Sequence, residues 1–239
     1  MINTDQDPYY GKFALPGVGK GISQDRTRTL TAQIGIVQKA KRGEIFALFD
    51  GIGSKGQGGS DAAEKMCDVT VDFFRKTDTV PATADGLEQL LIQGNMEIYS
   101  WGTDPLTRNP KGGCVGTVLW IINENVHVFH VGDTAAFCVA GEKTTRLTSR
   151  HCNQEGLLTS FFGQGHSLQL DVRNFQLNQC DYLVILSDGI ADFCSEDDIF
   201  KTAHYHDLHQ APREFVRLAQ SRESHDDLTA IVIDIGEMI

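Results

Sequence analysis

The chain has 239 residues, 41% of them hydrophobic, and a formal charge of −11. That supplies enough apolar side chain for one large β-rich domain, while the negative charge argues against a nucleic-acid or anionic-membrane partner. No apolar run approaches the roughly 18 residues of a membrane span and no basic-then-apolar start is present, so a cytoplasmic protein is expected.

Residues 1–19 are rich in turn formers (Asp7-Pro8, Pro16-Gly17) and read as irregular. Residues 29–38 (TLTAQIGIVQ) alternate like a half-buried strand, and residues 40–43 form a polar turn into an apolar strand over 44–49. That strand delivers Asp50 into a glycine-rich bend, after which Ser60 and Asp61 stand where a helix N-cap would stand. Residues 61–76 and 84–100 are helical by period, the first with Ala62, Met66, Val69 and Phe73 on one face. After a turn over 109–113 a β-meander follows: 115–122, the Asn123-Glu124-Asn125 turn, 126–131, the Gly132-Asp133 bend, 135–139 and 144–147. Residues 168–177 read as a further strand, and 181–186 as an apolar strand ending in Ser187-Asp188-Gly189. Ser195 caps a short helix, Pro212 opens another to residue 220, and the last strand, 228–235, follows His225-Asp226-Asp227. No repeat or linker interrupts the chain, so one domain over 1–239 is expected. The six cysteines are scattered without C-x-x-C and read as buried reduced thiols, Cys180 and Cys194 among them.

Two motifs compete for the glycine-rich bend. Residues 51–56 match G-x-G-x-x-G after a strand and before a helix, the dinucleotide fingerprint. That fingerprint requires the helix to lead back into a parallel strand, and here a second helical pattern follows instead. The other pattern is carboxylates at strand ends: Asp50-Gly51, Gly132-Asp133, Asp188-Gly189, and Asp226 just before a strand. Asp and Gly are ordinary turn residues, which suffices for any one of these. Four at the margins of the most apolar strands point further, because gathered like charges repel unless cations sit between them. All-oxygen ligands suit Mg²⁺ or Mn²⁺, not zinc.

The segments FALFDGIG, VGTVLWII, VHVFHVGDTAAF, RLTSRH, LLTSFFG, DYLVILSDGIADF and HDDLTAIVI resemble, in order, the motifs of the metal-dependent PP2C-type (PPM) Ser/Thr protein phosphatases, nearer the bacterial branch. The resemblance spans roughly residues 19 to 235. It implies an α+β fold, a four-layer α-β-β-α sandwich of two antiparallel sheets flanked by helices, with a dinuclear metal site. By motif, Asp50 is expected to bridge two Mg²⁺ or Mn²⁺ ions, with the Gly51 carbonyl on the second. Asp188 and Asp226 are expected on the first, Asp25 joins the metal-site carboxylates, and Asp133 with Asp188 matches a weaker third site. Such ions supply hydroxide for in-line attack on phosphorus, so Asp50, Asp188 and Asp226 are the expected catalytic set and no cysteine nucleophile is needed. Implied partners are phosphorylated proteins and a Ser/Thr kinase or its targets.

The chain also departs from that pattern. Where the family carries a phosphate-binding arginine, five residues before Asp25, it has Lys20, a point charge without the bidentate fork. Lys20 is expected to act on substrate rather than on metal, or else to be a solvated surface lysine. Ile52 replaces a histidine of eukaryotic members, and the flap between His151 and Leu157 is much reduced, which implies an open groove. Of the eight histidines only His225 is placed near the site. A catalytically impaired relative, using the same fold as a binding or regulatory module, remains the alternative, although Asp50, Asp188 and Asp226 are all present.

Overall fold

The computed structural model describes residues 8–53, 58–106 and 109–238. Residues 54–57, which carry the latter part of the G-x-G-x-x-G match, and residues 1–7 lie outside them. In chain order the elements are β1 (Tyr10–Leu15), β2 (Arg26–Leu30), α1 (Gly35–Ala40), β3 (Glu44–Gly51), α2 (Gly59–Arg75), α3 (Ala84–Tyr99), β4 (Cys114–Ile122) and β5 (Asn125–Val131). There follow β6 (Ala135–Ala140), β7 (Lys143–Arg146), β8 (Asp171–Gln176), β9 (Tyr182–Leu186), α4 (Asp188–Ala191), α5 (Glu196–Tyr205), α6 (Ala211–Ser221) and β10 (Leu228–Asp234).

The chain divides into two compact units, each with one five-stranded sheet. The unit formed by Gln24–Thr134 and Arg150–Phe175 carries the strand order β2-β3-β4-β5-β8. Residues 44–49 of β3 are all buried, which is why this strand reads as an unbroken apolar run. Ile45, Ala47 and Phe49 share a core with Ala62, Met66, Val69 and Phe73 of α2, the face that the helical period marks out. Leu87, Leu91 and Ile98 of α3 complete it. Each of the larger apolar side chains contributes about 1.5–3 kcal/mol on burial. Trp120 packs edge-on against Phe73 with ring centroids 5.2 Å apart, and its indole nitrogen donates to the Arg42 carbonyl. Arg42 is itself buried, and its guanidinium donates to the carbonyls of Phe73, Thr77 and Val80. It thereby satisfies acceptors at and just beyond the end of α2 that the helix leaves open.

One expectation fails in this unit. The alternating run over 29–38 is not a single strand, because β2 stops at Leu30 and Gly35–Ala40 is helical. The Ala32 amide donates to Glu44 Oε1 and the Ile34 amide to the Thr31 carbonyl, turning the chain out of the sheet. Only Val37 of the helix is buried, so a short alternating pattern fits a one-sided helical turn as well as a strand. Residues 40–43 then contain a left-handed Lys41 (φ 53°), which ends the helix.

The unit formed by Met1–Ser23, Ala135–Ser149 and Gln176–Ile239 carries the order β1-β10-β9-β6-β7. Residues 1–19 are not wholly irregular: β1 pairs antiparallel with β10 from Tyr10↔Ile233 to Leu15↔Leu228. The turn formers Pro8 and Pro16 bracket this edge strand without interrupting it. Phe137, Val184, Leu186, Phe215, Val216 and Val232 form the core. Helix α5 starts on a full capping box, with Ser195 and Asp198 bonded reciprocally, and Arg222 at the end of α6 grips Asp198 through two nitrogens at 2.7 and 2.9 Å. The reduced-thiol expectation is corrected for one pair: Cys138 and Cys180 form a disulfide. Strand β6 pairs with β9 so that Cys138 faces Leu183, and the chain entering β9 brings Cys180 alongside. Cys194 is partly buried and, like Cys67, Cys114 and Cys152, remains a free thiol.

Candidate active site

In the unit built on β2-β3-β4-β5-β8, strand register collects three of the expected carboxylates at one sheet end. β2 pairs with β3 up to Arg26↔Phe49, so one further step brings Asp25, which is 5% exposed, level with Asp50. Asp50 lies opposite Val115, and Gly116 opposite Val131, which carries the Gly132-Asp133 bend to the same end. Asp133 is 8% exposed. Behind Asp50, the Gly51 backbone packs directly on Gly59 at the start of α2: a Cβ on Gly51 would meet the Gly59 carbonyl carbon at 2.5 Å. Glycine is required for that approach. The Gln24 amide, oriented so that its nitrogen faces acceptors, donates to the carbonyls of Gly51 (3.2 Å) and Gly53 (3.0 Å).

Two histidines hold the Asp133 bend, and no spacing signal marks either of them. The His151 amide donates to the Gly132 carbonyl at 2.8 Å, and the Gly132 amide donates to His151 Nδ1 at 3.1 Å. Nδ1 is the acceptor, and Nε2 lies 3.2 Å from Asp171 Oδ2. His130, almost wholly buried, bonds Thr117 Oγ1 through Nδ1, and its Nε2 lies 3.1 Å from the Gly132 carbonyl. Gly132 takes φ 100°, a left-handed conformation that only glycine adopts easily.

In the other unit, a second carboxylate group stands at one end of β1-β10-β9. The Ser187 amide donates to the Thr229 carbonyl, the Thr229 amide donates back to Ser187 Oγ, and Ser187 Oγ donates to the Asp227 carbonyl. This lattice ties Asp188, first residue of α4, to the Asp226-Asp227 entry of β10. Onto the same entry docks a tight turn, 17–20, closed by the Lys20 amide donating to the Gly17 carbonyl, with Gly19 at φ 77°. That geometry is a type II turn, whose third residue favours glycine. The turn is pinned by the Gly17 amide on Asp227 Oδ1 (2.7 Å) and the Val18 amide on the His225 carbonyl (3.0 Å). Gly17 must be glycine, since a Cβ would come within 2.5 Å of the His225 carbonyl oxygen.

Lys20 is an exposed residue whose ammonium is engaged by two acids. Its Nζ lies 2.6 Å from Asp226 Oδ1 and 3.2 Å from Asp227 Oδ2. Burial works to lower the Lys20 pKa, but the bonds and charges of Asp226 and Asp227 outweigh it and raise it. For Asp226 burial works upward, and the Lys20 bond, the Asp227 amide and the Lys20 charge bring its carboxyl below the ordinary range. Asp227, 2% exposed, is the residue that sequence reasoning passed over; only its place beside Asp226 hinted at it. His225 contributes its backbone carbonyl to the turn.

Among the described residues no three His, Cys, Asp or Glu side chains converge on one point that could hold a metal. The donor chemistry nonetheless fits a hard divalent cation, because every candidate is a carboxylate or carbonyl oxygen. Thiol chemistry does not fit. Burial pushes the Cys67 thiol up to about 12, and raises Cys114 as well, so neither supplies a thiolate near neutral pH. A surface cavity of about 510 Å³ beside Tyr182, His204 and Asp234 lies at the opposite end of the β9-β10 ladder from Asp188 and Asp226.

The family model described as Protein phosphatase 2C matches residues 22–232. The chain belongs to the protein phosphatase 2C family. Among similar relatives is protein phosphatase PhpP of Streptococcus pneumoniae, 25% identical over 238 aligned residues that cover 90% of this chain and 95% of that one. Among solved structures, the serine/threonine phosphatase Stp1 from Staphylococcus aureus superposes with a TM-score of 0.79 at 18% identity, covering 96% of this chain and 95% of that one. The Mycobacterium tuberculosis serine/threonine phosphatase PstP/Ppp superposes at 0.75 and 16% identity, covering 94% and 97%. The expected fold, α+β with two antiparallel sheets and flanking helices as in this family's bacterial branch, therefore stands.

Proposed function

We propose that the chain is a Mg²⁺- or Mn²⁺-dependent phosphatase that hydrolyses phosphoserine and phosphothreonine in protein substrates, acting in the cytoplasm opposite a Ser/Thr kinase. The observation that carries this is the presence of Asp50, Asp188 and Asp226 at strand ends in a chain the family model matches over residues 22–232. Asp25, Asp50, Asp133, Asp188, Asp226 and the Gly51 carbonyl are the oxygens that would hold the cations. When bound, divalent cations neutralise phosphate oxygens and make water a nucleophile at neutral pH.

The chain's own groups do the positioning. The His151 and His130 bonds to Gly132 fix where Asp133 stands, and the Ser187–Thr229 lattice fixes Asp188 against Asp226. Lys20, on a turn held by its backbone, is the cation within reach of an incoming phosphate once it leaves Asp226. The reduced flap supports an accessible groove: Asn153 Oδ1 accepts the Glu155 and Leu157 amides, and the Thr159 amide donates to the His151 carbonyl, so the segment folds back within a few residues. The testing experiment is hydrolysis of p-nitrophenyl phosphate and of phosphoserine and phosphothreonine peptides with Mn²⁺, with Mg²⁺ and with EDTA. Turnover that needs the cation is expected. Cation binding without any turnover would instead favour the binding-module alternative.

A further inference from the structure

We infer that Lys20 is a built-in placeholder cation for the Asp226–Asp227 carboxylates, one that a divalent ion must displace and that is thereby released toward the substrate phosphate. This rests on the reading of Asp226 as a metal ligand.

The geometry is specific. The turn carrying Lys20 is fastened to the Asp227 side chain and the His225 backbone, by the Gly17 amide on Asp227 Oδ1 and the Val18 amide on the His225 carbonyl, neither of which involves the lysine side chain. Gly17 and Gly19 exist to make that fastening possible, the first by close approach and the second by its positive φ. The ammonium is thus tethered beside the carboxylates at high effective concentration whether or not it touches them. In contact, it spans two acids at 2.6 and 3.2 Å, as a small cation would. The Asp226 half of the contact is also easy to break: the Lys20 side chain is 37% exposed and that of Asp226 54%, and exposed ion pairs are weak, whereas the Asp227 carboxylate is buried. A divalent ion binding through Asp226 brings twice the charge to the same oxygens, and the tethered ammonium must leave them. Cation loading and phosphate capture then become one linked event, with the lysine as the moving part. This differs from the expectation that Lys20 serves substrate alone and leaves the metal untouched.

Calorimetric titration of Mn²⁺ into the EDTA-stripped full chain tests this, with wild type, Lys20→Ala, Lys20→Gln and Asp226→Asn compared. The binding step lost in Asp226→Asn is expected to tighten roughly two- to fivefold in Lys20→Ala and Lys20→Gln, the scale on which a weak competing ion pair acts. In the absence of metal, NMR of the lysine ammonium groups should show a Lys20 signal, identified by its loss in Lys20→Gln, that is perturbed both by Asp226→Asn and by Mg²⁺. Equal or weaker Mn²⁺ binding by both lysine variants, with wild type binding normally, overturns the placeholder alone. A Lys20 signal indifferent to Asp226→Asn does the same. No Mn²⁺ binding by any of the proteins would overturn the metal reading itself, and the placeholder with it.

Discussion

Asp50 is the penultimate residue of β3, next to the Gly51–Gly59 backbone contact that fixes the strand end against α2. Asp50→Asn preserves shape and removes only charge. We expect kcat with Mn²⁺ to fall at least a hundredfold while circular dichroism and the urea midpoint stay near wild type, because loss of a ligand charge costs cation binding more than packing. Phosphopeptide kinetics on the purified variant check this; a rate within threefold of wild type would remove Asp50 from the site. Asp227 shows a different use of the same residue type. Its Oδ1 is committed to the Gly17 amide, which makes it a structural acceptor beside a proposed ligand.

At the scale of elements, two charged side chains act as fasteners. Arg42 is buried and donates to three carbonyls around the end of α2, so Arg42→Ala leaves several acceptors without donors in the core. A loss of about 2–4 kcal/mol is expected, read as a lower urea midpoint with unchanged slope. Asp198 joins α5 to α6 through Arg222. That bond is the main cause holding its carboxyl well below the ordinary range, with the Ser195 bonds assisting against burial. The sign follows from linkage: a depressed carboxyl stabilises the fold above its unfolded pKa, about 3.9, and that stabilisation is lost as pH falls through the lower folded value. Asp198→Asn should therefore lower Tm at pH 7, and the gap to wild type should narrow progressively below about pH 4. A gap that is constant down to pH 2 would contradict the linkage.

For the whole molecule the consequence is a stability that depends on divalent ions. Each unit ends its sheet in acids, three in one (Asp25, Asp50, Asp133) and three in the other (Asp188, Asp226, Asp227), within a chain of formal charge −11. Ions that bind only the folded arrangement stabilise it by about 2.7 kcal/mol at a hundred times Kd. For a chain of this size that amounts to roughly 5–10 °C in Tm. Thermal unfolding in Mn²⁺ against EDTA should show this rise, reduced in Asp226→Asn; identical curves would argue that the acids are merely turn residues.

What the sequence alone determined was local. The apolar runs of β3 to β6, the helical face of α2, the Ser195 cap and the Asp-Gly bends could all be read, because period, cap and turn chemistry act over a few residues. With the order of motifs they also marked the family. What only the tertiary structure decided was pairing across distance. β1 reads as irregular in the sequence because its partner, β10, lies at the other end of the chain, and an edge strand flanked by prolines has little period of its own. Cys138 and Cys180 meet across 42 residues with no spacing to announce it. Lys20 and Asp226, 206 residues apart, could each be named as a site residue, yet their contact depends on a glycine turn laid against a strand entry. Such contacts follow from sheet register, which distant strands set together and no single segment encodes.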